Sequence, residues 1–161
     1  MRARVPVYDT GMLIALADRK TKAVRLHEGL KATPHRALVL GPVLAQVRRP
    51  QPAMVHTLAG LLKHCSVPQA RCSEPAMRET RAGLPGCIAC SAGPDLTDWR
   101  RVGTALNEAA LPPKKRPDAV NAWVALAAAK HGSAVVFTSD PDDMAAYLAV
   151  LNPADAHILA V

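Results

Sequence analysis

The sequence predicts an α/β fold, a three-layer α/β/α sandwich with a central, mostly parallel sheet. Short apolar runs alternate along the chain with stretches of helical periodicity. The run 134–138, bounded by Gly132 and Pro141, is hydrophobic almost throughout, as expected for a parallel strand that is covered on both faces. With 161 residues, 50% of them hydrophobic, the chain should form one domain with an adequate core.

The first half of the chain is predicted as a repeat of strands and helices. Pro42 occupies a first-turn position, where its missing N–H costs nothing, and Pro50 and Pro52 end the helix that it begins. Apolar residues over 53–65 recur with the i, i+4, i+7, i+8 spacing of one helix face. The predicted strands of this half are 5–8, 37–40 and 66–67, and the predicted helices are 12–17, 25–31, 43–49 and 53–65.

The second half returns to this alternation after an irregular stretch. Residues 68–94 are rich in Pro, Gly, Arg and Cys and have little periodicity, so we predict an insertion within a single domain that spans 1–161. Consecutive prolines make 112–117 an extended basic loop, and Gly132 ends the helix that follows it. The predicted helices of this half are 98–106, 118–129 and 144–151, and the predicted strands are 134–138 and the edge strand 157–161.

Carboxylates crowd the end of the strand 134–138. Asp140, Asp142 and Asp143 follow this strand directly, and Asp9 follows the first strand. Because like charges this close repel each other, we expect a cation to compensate them. The carboxyl ends of parallel strands share one edge of the sheet, so Asp9 and Asp140 should converge, which makes a metal site plausible. The alternative is that Asp140 or Asp142 only caps the next helix.

The charge balance suits a polyanionic substrate. Twenty Lys and Arg against thirteen Asp and Glu give a formal net charge of +7 and a pI near 9.6. An acidic cluster in a basic protein is suited to metal-assisted hydrolysis of a polyanion, and a solvated basic surface is the alternative. Only 3% of the residues are aromatic, which argues against RNA-binding modules that stack bases. The candidate phosphate contacts are Arg48, Arg49, Lys114, Lys115 and Arg116.

The apolar stretches and the N-terminal sequence predict where the protein is located. No stretch approaches the roughly 20 apolar residues that span a bilayer, and the N-terminus leads straight into a strand, so we expect a cytoplasmic protein with no membrane contact.

Cys87 and Cys90 have the CxxC spacing of a zinc ligand pair, and unliganded thiols are the alternative. The further candidate zinc ligands upstream are His64, Cys65 and Cys72.

Four short motifs resemble those of a known family. In chain order they are Asp9-Thr10-Gly11 before an apolar helix, Pro42-Val43-Leu44-Ala45-Gln46-Val47 at a helix start, Asp118-Ala119-Val120-Asn121-Ala122, and Thr138-Ser139-Asp140-Pro141-Asp142-Asp143. On alternating strands and helices, these motifs resemble the PIN-domain ribonucleases, particularly the VapC-like toxins of bacterial toxin-antitoxin modules. The resemblance covers 1–65 and 95–161 and leaves the Cys-rich middle unmatched.

The resemblance implies a metal-dependent endoribonuclease that cleaves single-stranded RNA, with clustered acids that bind Mg²⁺ or Mn²⁺ and activate water. It also implies a cognate antitoxin and a homodimer. The residues assigned to catalysis and to the metal are Asp9, Asp118, Asp140 and Asp143. The residues assigned to supporting or variant positions are Thr10, Gln46, Asn121, Thr138 and Ser139.

Two positions depart from the family pattern. Gln46 stands where many members have Glu, and Asn121 stands where the third motif ends in Asp, with Asp118 one turn earlier. An amide oxygen can coordinate a hard cation without neutralising its charge, so each difference should lower metal affinity. The alternative function is therefore a catalytically degenerate protein of the same fold that binds RNA or protein as a regulator.

Overall fold

A parallel sheet forms the centre of the computed structural model, which describes residues 4–47, 52–67 and 95–161. The strands lie in the order β3-β2-β1-β4-β5, and each neighbouring pair is parallel. They are β1 (Val5–Tyr8), β2 (Ala37–Val39), β3 (Cys65–Ser66), β4 (Ser133–Thr138) and β5 (Asp155–Ala160).

Helices cover the sheet in two groups. The first group contains α1 (Thr10–Ala17), α2 (Thr21–Lys31), α3 (Gly41–Val47) and α4 (Pro52–Leu62), and α1 packs against each of the other three. The second contains α5 (Leu96–Glu108), α6 (Ala119–Lys130) and α7 (Pro141–Leu151), which pack against one another. Parallel crossovers are right-handed, so the reversal of strand order between β1 and β4 puts the two groups on opposite faces. The predicted three-layer α/β/α architecture is confirmed.

The core forms where α6 lies on the inner strands. Every residue from Ala122 to Ala128 is buried, because α6 is enclosed by α5, α7 and the sheet. Small alanine side chains allow this close approach of helix to sheet. On the strands, Val7, Tyr8 and Val136 are fully buried. Because β1 and β4 are inner strands, the acidic residues that follow them lie near the middle of the carboxyl edge of the sheet.

Several element boundaries differ from the prediction. The third strand is Cys65–Ser66 instead of 66–67, because it consists only of a short ladder beside β2. The helix predicted over 25–31 begins at Thr21, four residues after α1 ends. The predicted insertion 68–94 lies outside the described residues.

Helical spacing places Trp99, Val102 and Leu106 on one face of α5, but the structure does not bury that face evenly. Trp99 is 52% exposed, whereas Asp98 and Val102 are buried. The Asp98 carboxylate lies 2.5 Å from Nζ of Lys130, which holds it inward. Trp99 instead stacks on Trp123 with ring centroids 5.0 Å apart. The buried face of α5 therefore includes the charged Asp98, paired with Lys130, which apolar spacing alone does not reveal.

A buried polar pair links α2 to the sheet. The hydroxyl of Tyr8 lies 3.0 Å from Nδ1 of His27, and both side chains are buried. Burial lowers the pKa of His27 and raises the pKa of Tyr8. Tyr8 therefore keeps its proton and His27 is neutral, and the tautomer of the imidazole sets which of the two groups donates the hydrogen bond. Both partners of this buried hydrogen bond are therefore uncharged.

Acidification is expected to destabilise the fold through His27. The pKa of His27 is lowered in the folded chain, so the unfolded chain binds more protons as the pH falls below about 6.5. The free energy of unfolding should then decrease from about pH 7.5 to about pH 5.5, and His27→Gln should reduce this slope. Urea unfolding at several pH values measures it. His35→Gln, at an exposed position, is the control, and an unchanged slope in His27→Gln would contradict the assignment.

Candidate functional site

The candidate site lies at the carboxyl ends of β1 and β4. The two strands pair in register as far as Tyr8 and Phe137, and the backbone N–H of Asp9 donates to the carbonyl oxygen of Phe137 at 3.2 Å. From here the chain continues to β2 on one side and to β5 on the other, so this is the point at which the strand order reverses. Open parallel sheets bind their ligands at such switch points.

Asp9 is a buried carboxylate at the start of α1. It is 2% exposed, and its Oδ1 accepts a hydrogen bond of 2.7 Å from the backbone N–H of Met12. Burial raises the pKa of Asp9, and the neighbouring charge of Asp140 adds to this effect, while hydrogen bonds from Thr138 and Met12 oppose it. Asp9 is therefore a stronger base than an exposed aspartate.

Thr138 joins the two acidic junctions. Its side chain is fully buried, contacts the Asp9 carboxylate, and accepts a hydrogen bond of 2.9 Å from the backbone N–H of Asp140. The hydroxyl of the exposed Ser139 lies 3.5 Å from Oδ2 of Asp140. The sequence predicted that Thr138 and Ser139 support the acids, and both contact them.

Lys115 supplies the cation that the crowded carboxylates require. Its Nζ lies 2.7 Å from Oδ1 of Asp140 and 3.3 Å from Oδ2 of Asp143. These contacts, with Asp140 first, raise the pKa of Lys115. Asp140 is the N-cap residue of α7, yet its side chain makes no capping hydrogen bond. The alternative that Asp140 only caps this helix is therefore wrong.

A tight turn in the basic loop directs Lys115 toward the acids. The N–H of Lys115 donates to the carbonyl oxygen of Pro112 at 3.1 Å, and Lys114 has a φ of 68°. A positive φ at the third residue is the hallmark of a type II turn. Lys114 and Arg116 are exposed and suited to the predicted phosphate contacts, whereas Lys115 is already paired.

Gln46, the first departure from the family pattern, makes two complementary contacts. Its Oε1 accepts a hydrogen bond of 2.6 Å from the hydroxyl of Thr10, and its Nε2 donates to Oδ2 of Asp118 at 3.3 Å. A glutamate has no side-chain donor and would face Asp118 with a second negative charge. The amide at this position is therefore matched to Asp118.

Asp118 caps α6 as well as contacting Gln46. Its Oδ1 accepts hydrogen bonds from the backbone N–H groups of Val120, at 2.7 Å, and Asn121, at 3.3 Å. Its own N–H donates to Oη of Tyr147 at 2.8 Å. Burial raises the pKa of Tyr147, and the charges of Asp118 and Asp143 add to it. Tyr147 therefore lies between the carboxylates of α6 and α7.

Two of the predicted metal-binding carboxylates, Asp140 and Asp143, converge on one position. Asp140 and Asp143 converge on the position of the Lys115 ammonium group, and carboxylate oxygens are the ligands that Mg²⁺ and Mn²⁺ prefer. Asp9 interacts electrostatically with Asp140. Within the described ranges, however, no three His, Cys, Asp or Glu side chains are grouped closely enough to hold a metal ion. A cation would therefore begin with two carboxylate ligands, and Asp118 lies in a separate set of contacts.

Part of the predicted chemistry lies outside the described residues. This applies to Arg48 and Arg49 among the phosphate contacts and to Cys72, Cys87 and Cys90 among the zinc ligands. Cys65 is described, and its buried thiol donates to the carbonyl oxygen of Leu61 at 3.5 Å. Burial raises the pKa of Cys65 to about 11, which disfavours the thiolate that zinc requires.

Sequence reasoning missed the roles of two site residues. The sequence assigns Lys115 to phosphate, and Tyr147 has only the spacing of an apolar residue of the predicted helix 144–151. The crowding of Asp140 and Asp143 indicated that a cation was needed, although it did not identify Lys115. Nothing in the spacing of Tyr147 distinguished it from a core residue.

Comparisons with protein-family models, with curated proteins and with solved structures gave no significant match. In the described part of the chain, no helix is long and apolar enough to cross a membrane.

Gly11 is required by the close approach of the two strand ends. A Cβ on Gly11 would lie 2.7 Å from Cβ and 3.0 Å from the backbone nitrogen of Ser139. Gly11→Ala should therefore lower the free energy of unfolding by about 1–3 kcal/mol in urea unfolding. Gly29→Ala is the matched control, since open space surrounds that helical position. It should stabilise the fold by about 0.5–1 kcal/mol.

The Gly11 prediction can be tested further by relieving the contact from the other side. Ser139→Gly removes the side chain that the new methyl group would meet, so the double variant should recover part of the lost stability. Equal effects of Gly11→Ala and Gly29→Ala would contradict the close approach.

Replacing Gln46 by Glu tests the match with Asp118. Without divalent cations, Gln46→Glu should lower the free energy of unfolding by about 1 kcal/mol, because a donor is lost and two carboxylates face each other. Added Mn²⁺ should reduce this loss by coordinating both groups. Ala45→Glu adds the same charge at an exposed position of the same helix. If both variants behave alike with and without Mn²⁺, the assignment fails.

Proposed function

We propose that the carboxyl edge of β1 and β4 is the active site of a metal-dependent endoribonuclease that cleaves single-stranded RNA. The motifs that resemble PIN-domain ribonucleases of the VapC-like group suggest this activity. The observation that carries the proposal is the convergence of Asp140 and Asp143 on one cationic group, beside the buried Asp9, at the switch point of the sheet.

Charge around the site supports an RNA substrate. The acids lie next to the loop 112–117, through Lys115, and the protein carries a net charge of +7. The exposed Lys114 and Arg116 are available to bind the phosphates that flank a scissile bond. Without these cationic side chains, the negative charges of Asp140 and Asp143 would repel a nucleic acid.

The residues divide the chemistry between them. Asp140 and Asp143 would hold the cation, and Lys114 and Arg116 would orient the phosphate backbone. Burial raises the pKa of Asp9, which suits this carboxylate to take a proton from the attacking water. If bound by Asp140 and Asp143, Mg²⁺ or Mn²⁺ would supply a more acidic water and a positive charge opposite the phosphoryl oxygens.

A second candidate is a regulator of the same fold that binds RNA or protein without cleaving it. The observation that favours it is the compensation of the acids by the chain itself: Lys115 pairs with Asp140 and Asp143, and Gln46 bonds Asp118. Asn121 is consistent with it, since an amide there contributes no charge to a metal site.

Biological context is part of the same proposal. The role of a toxin, a cognate antitoxin as partner, a homodimer and a cytoplasmic location rest on the family resemblance alone. A test of any of these properties is independent of a test of the chemistry at the sheet edge.

Cleavage of a single-stranded RNA in Mn²⁺ tests the nuclease proposal. The wild type should cleave, and Asp9→Asn and Asp140→Asn should each reduce the rate by at least about 100-fold, because each removes a charged oxygen at the reacting centre. Asp142→Asn is the matched control: it is an exposed acid in the first turn of α7 and should retain activity.

The outcomes separate the two candidates. An inert wild type that still binds the RNA would favour the regulator. Equal loss in Asp9→Asn and Asp142→Asn would show that general negative charge, and not this edge of the sheet, matters for cleavage. Circular dichroism of each variant confirms that it is folded.

A further inference from the structure

A cavity of about 410 Å³ lies between α1, α2 and α4, in the first group of helices. Small-molecule sites in proteins have volumes of roughly 300–1,000 Å³, so this cavity is large enough for a small ligand. Leu16 and Ala17, at the end of α1, line it, which places it about 10 Å along the helix from Asp9. The cavity is therefore separate from the acidic edge of the sheet.

One buried imidazole provides a polar group in a largely apolar wall. His27 lines the cavity and is 4% exposed. Its Nδ1 is hydrogen-bonded to Tyr8, whereas its Nε2 has no hydrogen-bond partner within the described residues. The one sealed side-chain nitrogen or oxygen without a partner in these residues is Nε2 of His131, so Nε2 of His27 reaches accessible space. The apolar wall is formed by Leu16, Val24 and Leu61.

The rim of the cavity carries an excess of one positive charge. Lys31 and Glu28 lie on the rim and pair with each other at 3.0 Å. Arg19 also lies there, is exposed, and has no ion pair with an acid in the part of the chain that the structure describes. His56 and His64 complete the rim, but no metal-binding group is found in the described ranges. A monoanionic organic ligand is therefore complementary to this rim.

We propose that this cavity binds a small organic carboxylate with an apolar body, of the aromatic or branched aliphatic kind. Nε2 of His27 donates a hydrogen bond to the carboxylate, the charge of Arg19 attracts it, and the apolar body lies against the leucine and valine side chains of the wall. An excess of one charge matches a carboxylate better than the dianion of a phosphate monoester. The proposal requires neither a metal ion nor nuclease activity.

The hydrogen bond between Tyr8 and His27 prepares the imidazole for such a ligand. A carboxylate only accepts hydrogen bonds, so it selects the tautomer in which Nε2 carries the hydrogen. In that tautomer Nδ1 is an acceptor, and the buried hydroxyl of Tyr8 donates to it. Both polar atoms of the ring are then satisfied when the ligand is bound, whereas the empty cavity leaves Nε2 without a partner.

Titration of the full chain with benzoate tests the proposal. Long-range ¹H–¹⁵N NMR spectra of the histidine rings measure the affinity and identify the tautomer of His27. Benzoate should bind with a Kd in the millimolar range and give His27 the spectrum of the tautomer protonated on Nε2. Benzyl alcohol has the ring without the charge, and acetate has the charge without the ring. Each should bind at least about fivefold more weakly than benzoate.

A variant of Arg19 tests the attraction of the charge. Arg19→Asn removes the positive charge, and Asn tolerates the φ of 56° at this position. Benzoate affinity should fall by at least about fivefold. Arg25→Gln is the control, because it removes the same charge from an exposed position of α2 that does not line the cavity. It should bind benzoate as the wild type does.

A paired variant tests the hydrogen bond from His27. His27→Phe is combined with Tyr8→Phe, so that the loss of the imidazole leaves no buried hydroxyl without a partner. This double variant should bind benzoate at least about tenfold more weakly than the wild type. Tyr8→Phe alone retains Nε2 of His27 and should keep benzoate affinity within about twofold. Equal affinities of the single and double variants would overturn the role of His27.

Filling the cavity tests its location without removing a contact of the fold. Gly60 lines the cavity from α4, and open space surrounds the position of its missing Cβ. Gly60→Leu should therefore keep the fold, as thermal unfolding measures, and abolish benzoate binding. Gly29→Leu is the matched control, since this helical position is equally open but does not line the cavity. It should bind benzoate as the wild type does.

Three results would overturn the proposal. The first is no saturation of His27 by benzoate below about 10 mM. The second is equal affinity for benzoate and benzyl alcohol, because the cavity would then not recognise a charge. The third is unchanged benzoate binding in Gly60→Leu, because the ligand would then bind elsewhere. None of these results bears on the nuclease proposal, which RNA cleavage tests at the edge of the sheet.

Discussion

β1 and β4 pair in parallel with their carboxyl ends aligned, and this register decides where the polar groups of the candidate site lie. Because Tyr8 and Phe137 are partners in the ladder, the residues that follow them leave the sheet side by side. Asp9 is then buried next to Thr138, and Asp140 follows within two residues. A shift of one residue in this ladder would move Asp9 along the strand direction relative to Thr138 and Asp140. The side chains of the candidate site would then no longer lie together.

Electrostatic compensation explains how so many acids coexist at one edge. Asp9 receives hydrogen bonds at the start of α1, and its raised pKa reflects the remaining cost of burial. Asp118 is satisfied by the cap of α6 and by Gln46. The pair of acids on α7 is compensated by Lys115. Each of these carboxylates thus has a partner within the chain, and Asp140 and Asp143 share Lys115.

The sheet and its acidic edge could be predicted because they depend on local pattern. The apolar run 134–138 and the aspartates after two strands are visible in the sequence, and parallel pairing brings such junctions together. The partner of those aspartates could not be predicted. Lys115 reaches them only because Lys114 adopts a left-handed conformation in a loop that has no periodicity. Trp99 shows the same limit, since helical spacing does not say which face meets a neighbour.

Gln46 and Asn121, the two departures from the motifs of PIN-domain ribonucleases, differ in the contacts that they make. Gln46 has a specific role, because its amide donates to Asp118 and accepts from Thr10. Asn121 contributes its backbone N–H to the cap of α6. Among the described residues, no hydrogen bond or ion pair of the Asn121 side chain accounts for an amide at this position.

Crystallography with Mn²⁺ tests the central proposal that Asp140 and Asp143 hold a divalent cation at the carboxyl edge of β1 and β4. Crystals of the wild-type protein soaked in Mn²⁺ and oligothymidylate would be measured at the manganese absorption edge. We expect an anomalous peak about 2 Å from oxygens of Asp140 and Asp143, with the Lys115 ammonium group displaced. An intact Lys115 pair without a peak between these aspartates, at an Mn²⁺ concentration that saturates binding in solution, would contradict it.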